Sequence, residues 1–519
     1  MITISVSNKR SSADKWTETS HGWSLKEDYI NVVNDKFLHR RMIALKDETL
    51  FVVAERNISL PQSNLSNVSK YIVEFASLLE GDGVLIHLEN HGRLTVIRTS
   101  HATVPIYVSG ENYRFTAGWD FNALVGRRQS LTFSRTQLRR FIQFGPELSQ
   151  ETIALNVAQL MPGQKAEWTL GSDQIEFTTC TPVNFYEESP LAVGATLTST
   201  FLDLIKASSV ELLKHASVPT VELSGGMDSS CVAIALRYTH GSWHSYGLIH
   251  RGNAGDQQLA RRRELIDQLK TADTRVHSTV CKPFTRLENP PLAGDFVISP
   301  YDELYWDGIV EAFYSMPNGK PDVVFTGIGG DELTITTLFD DETAPQKCCP
   351  NALQSLFFQN TPPVAVAPQT FVSQSALASA FVRARIFLTH DIWPKNPLID
   401  PAVVRFCQIV PPEHKRHRLL NRLTIAKAGL SDYFVNPRFK ENFSRVFMDD
   451  FLDFRSDIFF CESLLHAEMI ANSALLMNAI RDIQNGSEAK ISLYVIINAV
   501  RLEYILRYYS DRFSIKFVD

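Results

Sequence analysis

Short runs of alternating apolar and polar residues fill the first third of the chain, a period typical of strands with one buried face. Glycine-rich turns such as 81–83 and 110–112 separate the runs, so the pattern predicts an antiparallel, β-rich sandwich. A helix is predicted over 135–144, ending at Gly145, and Met161–Gly163 marks a turn before another strand pair. The predicted strands are Ile2–Val6, Leu50–Ala54, Val84–Leu88, Leu94–Arg98, Pro105–Val108 and Tyr113–Ala117.

After Pro182 the apolar residues recur every three or four positions, which predicts long helices from about residue 196. Short apolar strands lie between these helices, and that alternation favours a doubly wound parallel sheet covered on both faces. We therefore predict two domains, 1–190 and 191–519, joined within 183–195. The proline-rich stretch 340–370 is expected to form a surface loop or a flap. The predicted parallel strands are Thr220–Leu223, Ser245–Ile249 and Val323–Thr326.

The composition excludes several classes of protein. The 519 residues are 44% hydrophobic and 21% charged, which excludes a disordered chain and supplies more than one core. A net charge of −6 makes duplex nucleic acid and an anionic membrane unexpected partners. Seven cysteines without a C-x-x-C pair predict a reducing, cytoplasmic location, and we expect no secretion signal. The apolar stretch Tyr494–Val500, followed by Arg501 and Glu503, predicts a buried core helix.

The most informative segment runs from Thr220 to Leu236 as strand, tight glycine turn and helix. Gly225 and Gly226 allow the backbone N–H groups to approach an anion, and the next helix adds the positive end of its dipole. Asp228 beside a bound polyphosphate would repel it, so charge alone implies a Mg²⁺ ion between them. The alternative is an ordinary strand-to-helix turn in which Asp228 only caps a helix.

A second glycine turn with carboxylates, G-I-G-G-D-E at 327–332, follows the strand 323–326. In a parallel sheet both turns lie at the carboxyl ends of strands, where open α/β sheets bind ligands. Asp331 is therefore expected to face the same metal as Asp228. Taken alone the second turn would be an ordinary glycine-rich turn, but the pair of turns favours a shared site.

These motifs resemble those of a known family. The S-G-G-x-D-S turn at 224–229 resembles the pyrophosphate-binding loop of the ATP pyrophosphatase superfamily, whose members cleave ATP between its α- and β-phosphates. Together with G-x-G-G-D-E about a hundred residues later, it resembles the synthetase domain of asparagine synthetases and their relatives. These relatives include β-lactam synthetases and the macrolactam cyclases of lasso peptides. Further similar segments, the first two matching the amidotransferase domain of asparagine synthetases, are Arg98 with Pro105–Tyr107, Leu160–Gly163, Asn396–Asp400 and Val410–Glu413.

Departures from the family change the expected chemistry. Ile2 stands where a glutamine-hydrolysing member has its nucleophilic cysteine, and Thr99 and Ala102 replace an Asp and a Gly. The first domain is therefore expected to be a degenerate amidotransferase of the N-terminal-nucleophile (Ntn) type, kept as a scaffold. The amine then comes from elsewhere, and the β-lactam and lasso branches use an amine built into the substrate. Glu413 is out of register with the glutamate of the β-lactam branch, which disfavours that branch.

The resemblance implies ATP and Mg²⁺ as cofactors. Asp228 and Asp331 would hold the metal. Lys440 would stabilise the oxyanion formed when the amine attacks the acyl-adenylate, with Arg438 as a second catalytic cation. The predicted nucleotide-binding residues are Leu223, Ser224, Gly225, Gly226, Met227, Asp228, Ser229, Ser230, Gly247, Leu248, Gly327, Gly329 and Gly330.

The general base and the role of a basic run stay open. His414, Glu413 and Tyr305 are the candidates for the base. The basic run 414–418 favours a solvated helix face over a surface that steers an acidic peptide.

Two further groups of residues carry alternatives. The pair Gln257 and Gln258 replaces an acidic residue common in asparagine synthetases, so the nucleotide contacts there are in question. Tyr301, Tyr305 and Trp306 have the spacing of core aromatics and, as an alternative, would line an acyl-substrate pocket.

The sequence thus favours an ATP-dependent cyclase that adenylates an Asp or Glu side chain of a ribosomal precursor peptide and closes a macrolactam with its N-terminal amine. Expected partners are the precursor peptide, a leader-peptide protease and a leader-binding protein. The alternative is a small-molecule amide synthetase, either β-lactam synthetase-like or an ammonia-dependent asparagine synthetase. A non-catalytic ATP-binding partner is a different class, and sulfur transfer to tRNA is disfavoured because no basic surface is indicated.

Overall fold

We describe the protein from a computed structural model of the 519-residue chain. The structure describes residues 1–7, 15–33, 35–55, 68–79, 81–90, 92–111, 113–128, 130–169, 172, 174–180, 196–237, 239, 242–284, 299–334, 355–359, 372–439 and 444–519.

The first third forms two antiparallel sheets, as the alternating pattern predicts. Its elements are β1 (Ile2–Ser7), β2 (Thr17–Thr19), β3 (Gly22–Leu25), β4 (Asp28–Val32), β5 (His39–Ala44), β6 (Glu48–Ala54), α1 (Val68–Leu78), β7 (Gly83–Glu89), β8 (Arg93–Arg98), β9 (Tyr107–Glu111), β10 (Arg114–Gly118), α2 (Phe121–Val125), β11 (Ser130–Ser134), α3 (Arg135–Phe144), β12 (Ala158–Gln159), β13 (Gln164–Thr169) and β14 (Ile175–Thr179). The strand orders are β12-β9-β10-β1-β4-β3-β2 and β14-β13-β8-β7-β6-β5.

The two sheets pack face to face because alternate residues of each strand point inward. The ring of Trp23 in the first sheet lies 5.0 Å from that of Phe51 in the second, and Phe115 faces Trp168 at 6.1 Å, measured between centroids. Helix α1 covers the outer face of the second sheet, and α2 and α3 belong to the core that contains Tyr107 of the first sheet. The predicted β-rich sandwich is therefore present, with helices on its outer faces.

A five-stranded parallel sheet follows. Its elements are α4 (Leu197–His215), β15 (Pro219–Glu222), α5 (Met227–Arg237), β16 (His244–Ile249), α6 (Gly252–Leu269), β17 (Ala272–His277), α7 (Trp306–Tyr314), β18 (Val323–Phe325), α8 (Gly330–Thr334), α9 (Gln374–Thr389) and β19 (Trp393–Lys395). The strand order is β17-β16-β15-β18-β19, and every neighbouring pair is parallel.

Numbered along the chain, this order is third, second, first, fourth, fifth, which is the order of a doubly wound sheet. The direction of winding reverses between β15 and β18, so the loops after these two strands flank the switch point. Both faces of the sheet are covered. Val221 and Phe325 pack in the core that includes α4 and α5, whereas Tyr246 and Val324 pack in the core that includes α7 and α9.

The C-terminal part is mainly helical. Its elements are α10 (Pro401–Ile409), α11 (Pro412–Lys415), α12 (Leu419–Lys427), α13 (Asp432–Val435), α14 (Ser444–Phe451), α15 (Ser456–Phe459), α16 (Leu464–Ala467), α17 (Ser473–Gln484), α18 (Leu493–Ser510) and β20 (Ser514–Val518). Helix α18 is the predicted core helix and packs against α3. Its buried Glu503 accepts hydrogen bonds from Ser463, Leu464 and Leu465 and pairs with Arg507, which explains a carboxylate in a core. In the described part of the chain no helix has both the length and the apolar character for a membrane span.

Other local expectations agree with the structure. Helix α3 ends at Gly145, whose φ of 76° and N–H bond to the Phe141 carbonyl form the predicted C-terminal cap. The predicted linker 183–195 lies outside the described residues, as does the stretch 340–370 apart from 355–359. The division into domains 1–190 and 191–519 therefore stays a prediction.

Candidate functional site

The first glycine turn joins β15 to α5 at the carboxyl edge of the parallel sheet. Gly225 has a φ of 91°, a left-handed conformation that favours glycine. Ser224 Oγ accepts the Gly226 N–H at 3.0 Å and lies 3.1 Å from Ser229 Oγ, so these serines stabilise the turn. Helix α5 begins at Met227, and the N–H groups of its first turn have no partner within the helix. The turn therefore has the geometry of an anion-binding helix end.

The second glycine turn, between β18 and α8, packs directly against the first. A Cβ on Gly327 would overlap the main chain of Ser229, and a Cβ on Gly330 would overlap the Asp228 carboxylate. Neither glycine has a positive φ, so the close approach of α5 is what excludes a side chain at these positions. The two turns thus meet at the switch point between β15 and β18.

Asp228 and Asp331 share one cation, the guanidinium of Arg418. Its Nη2 donates to Asp228 Oδ1, and its Nη1 lies 2.8 Å from Asp331 Oδ1. Asn421 Nδ2 also donates to Asp228 Oδ1, at 2.8 Å. The Asp228 side chain is 16% exposed and the Asp331 side chain 62% exposed, so the pair has a buried floor and an open side. A guanidinium fork that spans both carboxylates shows that they face one common point.

The electrostatics of this pair suit a cation. Burial raises the pKa of the Asp228 carboxyl from 3.8 to about 6; the Arg418 guanidinium opposes this rise and the Asp331 carboxylate adds to it. At neutral pH the carboxyl is therefore ionised at a cost in free energy. Positive charge placed between the two carboxylates reduces that cost.

Arg418 reaches the carboxylates from unusual backbone. His417 and Arg418 have φ values of 53° and 58°, a conformation that costs a non-glycine residue about 1–2 kcal/mol. Arg422 braces this turn through the carbonyls of His417 and Val435, at 2.9 and 3.1 Å. The interpretation of 414–418 as a solvated helix face is wrong for Arg418, whose side chain is 22% exposed. A run of basic residues carries no local signal that singles out the one that turns inward.

Gln258 of α6 binds the main chain around the first turn. Its Nε2 donates to the carbonyls of Ser224 and Leu248, at 2.6 and 2.8 Å, and its Oε1 accepts the His250 N–H at 3.0 Å. These contacts need a group that both donates and accepts, and a carboxylate only accepts when ionised. The side-chain amide of Gln258 therefore has a specific structural task in this chain.

Gln257 binds a different segment. Its Oε1 accepts the N–H groups of Arg438 and Phe439, at 2.6 and 3.0 Å, and its Nε2 donates to the Phe439 carbonyl at 2.7 Å. Adjacent residues of α6 thus fix the first glycine turn and the segment that leads to Lys440. Sequence reasoning missed this role, because the bonded atoms belong to main chain more than 180 positions away.

Leu223, Gly247 and Leu248, three of the predicted nucleotide-binding residues, lie in or directly after strands β15 and β16. Leu223 N–H donates to the Tyr246 carbonyl at 2.7 Å, and a Cβ on Gly247 would overlap the Leu223 carbonyl and Arg262. The Leu248 carbonyl already accepts from a glutamine amide. These contacts are all within the protein, so nucleotide binding by these three residues stays a prediction.

The predicted catalytic cations are only partly placed. Lys440 lies outside the described residues. Arg438 is exposed, and its N–H is held by a glutamine of α6. Of the candidate bases, Glu413 is exposed and His414 half-buried on α11, which adjoins the Arg418 turn. Tyr305 stacks on Phe447 at 5.4 Å, and burial raises its pKa well above the ordinary value, which disfavours it as a base.

The other two aromatics also pack in the core. The Tyr301 ring lies 5.6 Å from that of Tyr107 and 5.2 Å from that of Phe121, and its hydroxyl accepts the Ile153 N–H. Trp306 is 5% exposed. The core interpretation of their spacing is confirmed, and among the residues that the structure describes no contact favours an acyl-substrate pocket.

A cavity of about 1000 Å³ is lined in part by residues of α14. It lies at the carboxyl ends of β16 and β17, where His250 and Ser278 line it. Met448 and Leu452 form an apolar wall, and Phe439 also lines the cavity. Asp228 and Asp331 are not among its lining residues, so the cavity is separate from the carboxylate pair.

The donor set fits Mg²⁺ bound together with a triphosphate. Within the described ranges no three His, Cys, Asp or Glu side chains cluster as metal ligands. Two carboxylates are what Mg²⁺ commonly takes from a protein when substrate phosphates and water supply its other ligands. Asp228 and Asp331 face one point, and the anion-binding turn lies beside them, so both halves of such a ligand have residues to bind them.

Comparison with known proteins leaves the family open. No family model matches the chain, and no curated protein is similar to it. Solved structures with some similarity include an allosteric regulatory enzyme of purine biosynthesis, at 10% identity and a TM-score of 0.23 over 55% of this chain and 75% of that one. Another is the glutamine phosphoribosylpyrophosphate amidotransferase of B. subtilis with ADP and GMP, at 7% identity and a TM-score of 0.21 over 64% and 71%. Similarity at this level supports no inference about this chain.

Proposed function

We propose that the protein is an ATP-dependent, AMP-forming amide ligase whose adenylation site is the meeting point of the two glycine turns. The observation that carries the proposal is that Asp228 and Asp331 face one guanidinium at the switch point of a doubly wound sheet. A carboxylate pair suited to Mg²⁺ beside a turn suited to phosphate is what displacement at the α-phosphorus of ATP requires.

Bound Mg²⁺-ATP would supply the electrophilic α-phosphorus and a pyrophosphate leaving group. Asp228 and Asp331 would bind the ion, and the N–H groups of the first turn of α5, at residues 227–229, would bind the departing pyrophosphate. Gln258 keeps this turn in position through the Ser224 carbonyl. These fixed groups stabilise charge that grows during the displacement, without reorganising as it does.

Amide formation would follow at the neighbouring segment. By the family resemblance Lys440 would stabilise the oxyanion formed when the amine attacks the acyl-adenylate. Gln257 holds the segment that leads to this lysine. The cavity of about 1000 Å³, which Phe439 of this segment lines, is large enough for part of a peptide, and we propose that the peptide substrate binds there.

We further propose that the substrate is a ribosomal precursor peptide, cyclised between its N-terminal amine and an Asp or Glu side chain as in lasso peptide biosynthesis. A leader-peptide protease and a leader-binding protein would then act with this chain. The state of the first domain supports an amine that is not released from glutamine. Thr99 Oγ1 donates to the Gly81 carbonyl at 2.7 Å and accepts the Gly83 N–H at 3.1 Å, and Ala102 is fully buried. Thr99 therefore serves the scaffold, which is the role expected of a degenerate amidotransferase.

The test is an end-point assay of the purified full chain with ATP and Mg²⁺. Peptides with a free N-terminal amine and one Asp or Glu at varied spacing form one arm, and aspartate with ammonium forms the other. We expect AMP and pyrophosphate, together with loss of one water from a peptide. Products from aspartate and ammonium alone would favour the small-molecule synthetase instead. ADP and phosphate in place of AMP and pyrophosphate would contradict adenylation altogether.

A further inference from the structure

The guanidinium of Arg418 lies where a bridging cation would lie. It bonds one oxygen of Asp228 and one of Asp331, the two groups assigned above to the metal. A divalent cation and a guanidinium between the same two carboxylates would repel each other strongly. The two cations therefore exclude one another at this position.

We propose that Arg418 and the divalent cation occupy this carboxylate pair in turn, so that the cation binds tightly only when it arrives with a triphosphate. This inference rests on the proposed nucleotide site and adds a control of the order in which its ligands bind. It concerns one residue of the chain that the family resemblance did not assign.

The surroundings of Arg418 suit such an exchange. Its side chain is half-buried, and it belongs to a turn between α11 and α12 whose two left-handed residues are held by the side chain of Arg422. Released from the carboxylates, the guanidinium would lie beside the phosphates of the incoming nucleotide. A guanidinium group binds phosphate oxygens in the same forked geometry in which it binds carboxylate oxygens. The triphosphate thus offers Arg418 new partners when the cation takes the old ones.

Removing the guanidinium should open the pair to a cation alone. In Arg418→Gln, Asp228 and Asp331 have no shared counter-ion, so a divalent cation should bind without nucleotide about tenfold more tightly than to the unaltered protein. Arg416→Gln is the matched control, because it removes the same charge from an exposed position two residues away. A third variant, Arg418→Gln with Asp331→Asn, removes half of the carboxylate pair.

The experiment measures thermal unfolding of the full chain against Mn²⁺ concentration, without nucleotide. We expect Arg418→Gln to gain a saturable rise in midpoint that the unaltered protein, Arg416→Gln and the double variant lack. An equal rise in Arg416→Gln, or none in Arg418→Gln, overturns the inference.

A second measurement uses the unaltered protein, so it does not depend on a variant that folds. Free Mn²⁺ is followed by electron paramagnetic resonance with and without α,β-methylene-ATP, and we expect tight binding only with the analogue. Tight binding of Mn²⁺ alone overturns the inference while leaving the nucleotide site intact. If Arg418→Gln gains Mn²⁺ binding but neither protein binds the analogue, the proposed function fails together with the role of the triphosphate, and only the exclusion of the cation by Arg418 stands.

Discussion

Two clusters in this protein pair carboxylates with a cation, and they differ in how far they are open to solvent. In the Glu55 cluster, Glu55 accepts from Trp393 Nε1 at 3.0 Å and from Lys395 Nζ at 2.7 Å, and the two charged side chains are 4% and 8% exposed. Nearby, Asp82 accepts the N–H groups of Thr103 and Val104. Glu55 and Asp82 are both buried and hydrogen-bonded. Because Trp393 and Lys395 belong to β19, their bonds to Glu55 join the sandwich to that strand.

The Asp228 cluster, made of Asp228, Asp331, Arg418 and Asn421, is open on one side. Its Asp331 side chain is 62% exposed, and its cation comes from a turn with two left-handed residues. The cavity beside the Glu55 cluster has a volume of about 10 Å³, room for no more than a water molecule, so this cluster serves stability. Burial raises the pKa of Asp82 in the closed cluster as it does that of Asp228 in the open one, but only the open cluster leaves a side from which a ligand can reach its carboxylates.

The largest effect is expected from Asp228→Asn, which tests whether the two clusters differ in function. Loss of one ligand of the metal pair should lower the rate of AMP formation about a thousandfold or more. Lys395→Met is the control from the closed cluster, and its rate per folded molecule should stay near that of the unaltered protein. Equal losses in the two variants would mean that the clusters do not differ in function.

Lys395→Met in the Glu55 cluster, which should leave the reaction rate unchanged, should lower the stability of the protein. Lys395→Met leaves Glu55 buried without its cation, which should lower the free energy of unfolding by about 3–5 kcal/mol. Lys36→Met is the comparison, because Lys36 pairs with Asp322 at 2.5 Å with its side chain 41% exposed; the expected loss there is about 1 kcal/mol or less. Denaturant unfolding measures both values, and a loss in Lys395→Met no larger than in Lys36→Met would contradict the closed cluster.

The pH dependence of stability tests the cost held in the open cluster. The folded-state pKa of Asp228, about 6, lies above its ordinary value of 3.8, so the folded protein keeps this proton to higher pH than the unfolded chain. As the pH rises from about 4 to about 6, this group should therefore lower the free energy of unfolding by up to roughly 3 kcal/mol. Subtracting the same titration of Asp228→Asn isolates the contribution. If the difference in free energy of unfolding between the two proteins does not change with pH over this range, the pKa of Asp228 is not raised in the folded protein.

The smallest expected effect distinguishes the task of Gln257 from that of Gln258. Gln257→Leu should release the segment 438–439 and slow amide formation about tenfold, while exchange of pyrophosphate into ATP continues. Gln258→Leu should slow both reactions, because it loosens the glycine turn itself. If Gln257→Leu slowed pyrophosphate exchange as much as amide formation, the two residues would not have separate tasks.

Local patterns predicted most of the fold. Strand periods, the cap at Gly145 and the two glycine turns depend on neighbouring residues, so the sequence displays them. The meeting of the turns followed from one added rule, that parallel strands end at the same edge.

The parts that sequence reasoning missed depend on distant contacts. Arg418 lies 190 positions from Asp228, and nothing in its basic run distinguishes it from Arg416. Gly327 and Gly330 were predicted as turn residues. The structure shows that glycine is needed there because α5 approaches too closely for a side chain. Such packing is a property of the folded chain and leaves no periodic trace in the sequence.

The central claim is that both glycine turns bind one metal–triphosphate, and a crystal structure with Mn²⁺ and α,β-methylene-ATP tests it most directly. We predict an anomalous peak between Asp228 and Asp331, phosphates at the turn 224–230, and the Arg418 guanidinium displaced from the carboxylates. A nucleotide bound elsewhere, with Arg418 still bridging both carboxylates, would contradict the account.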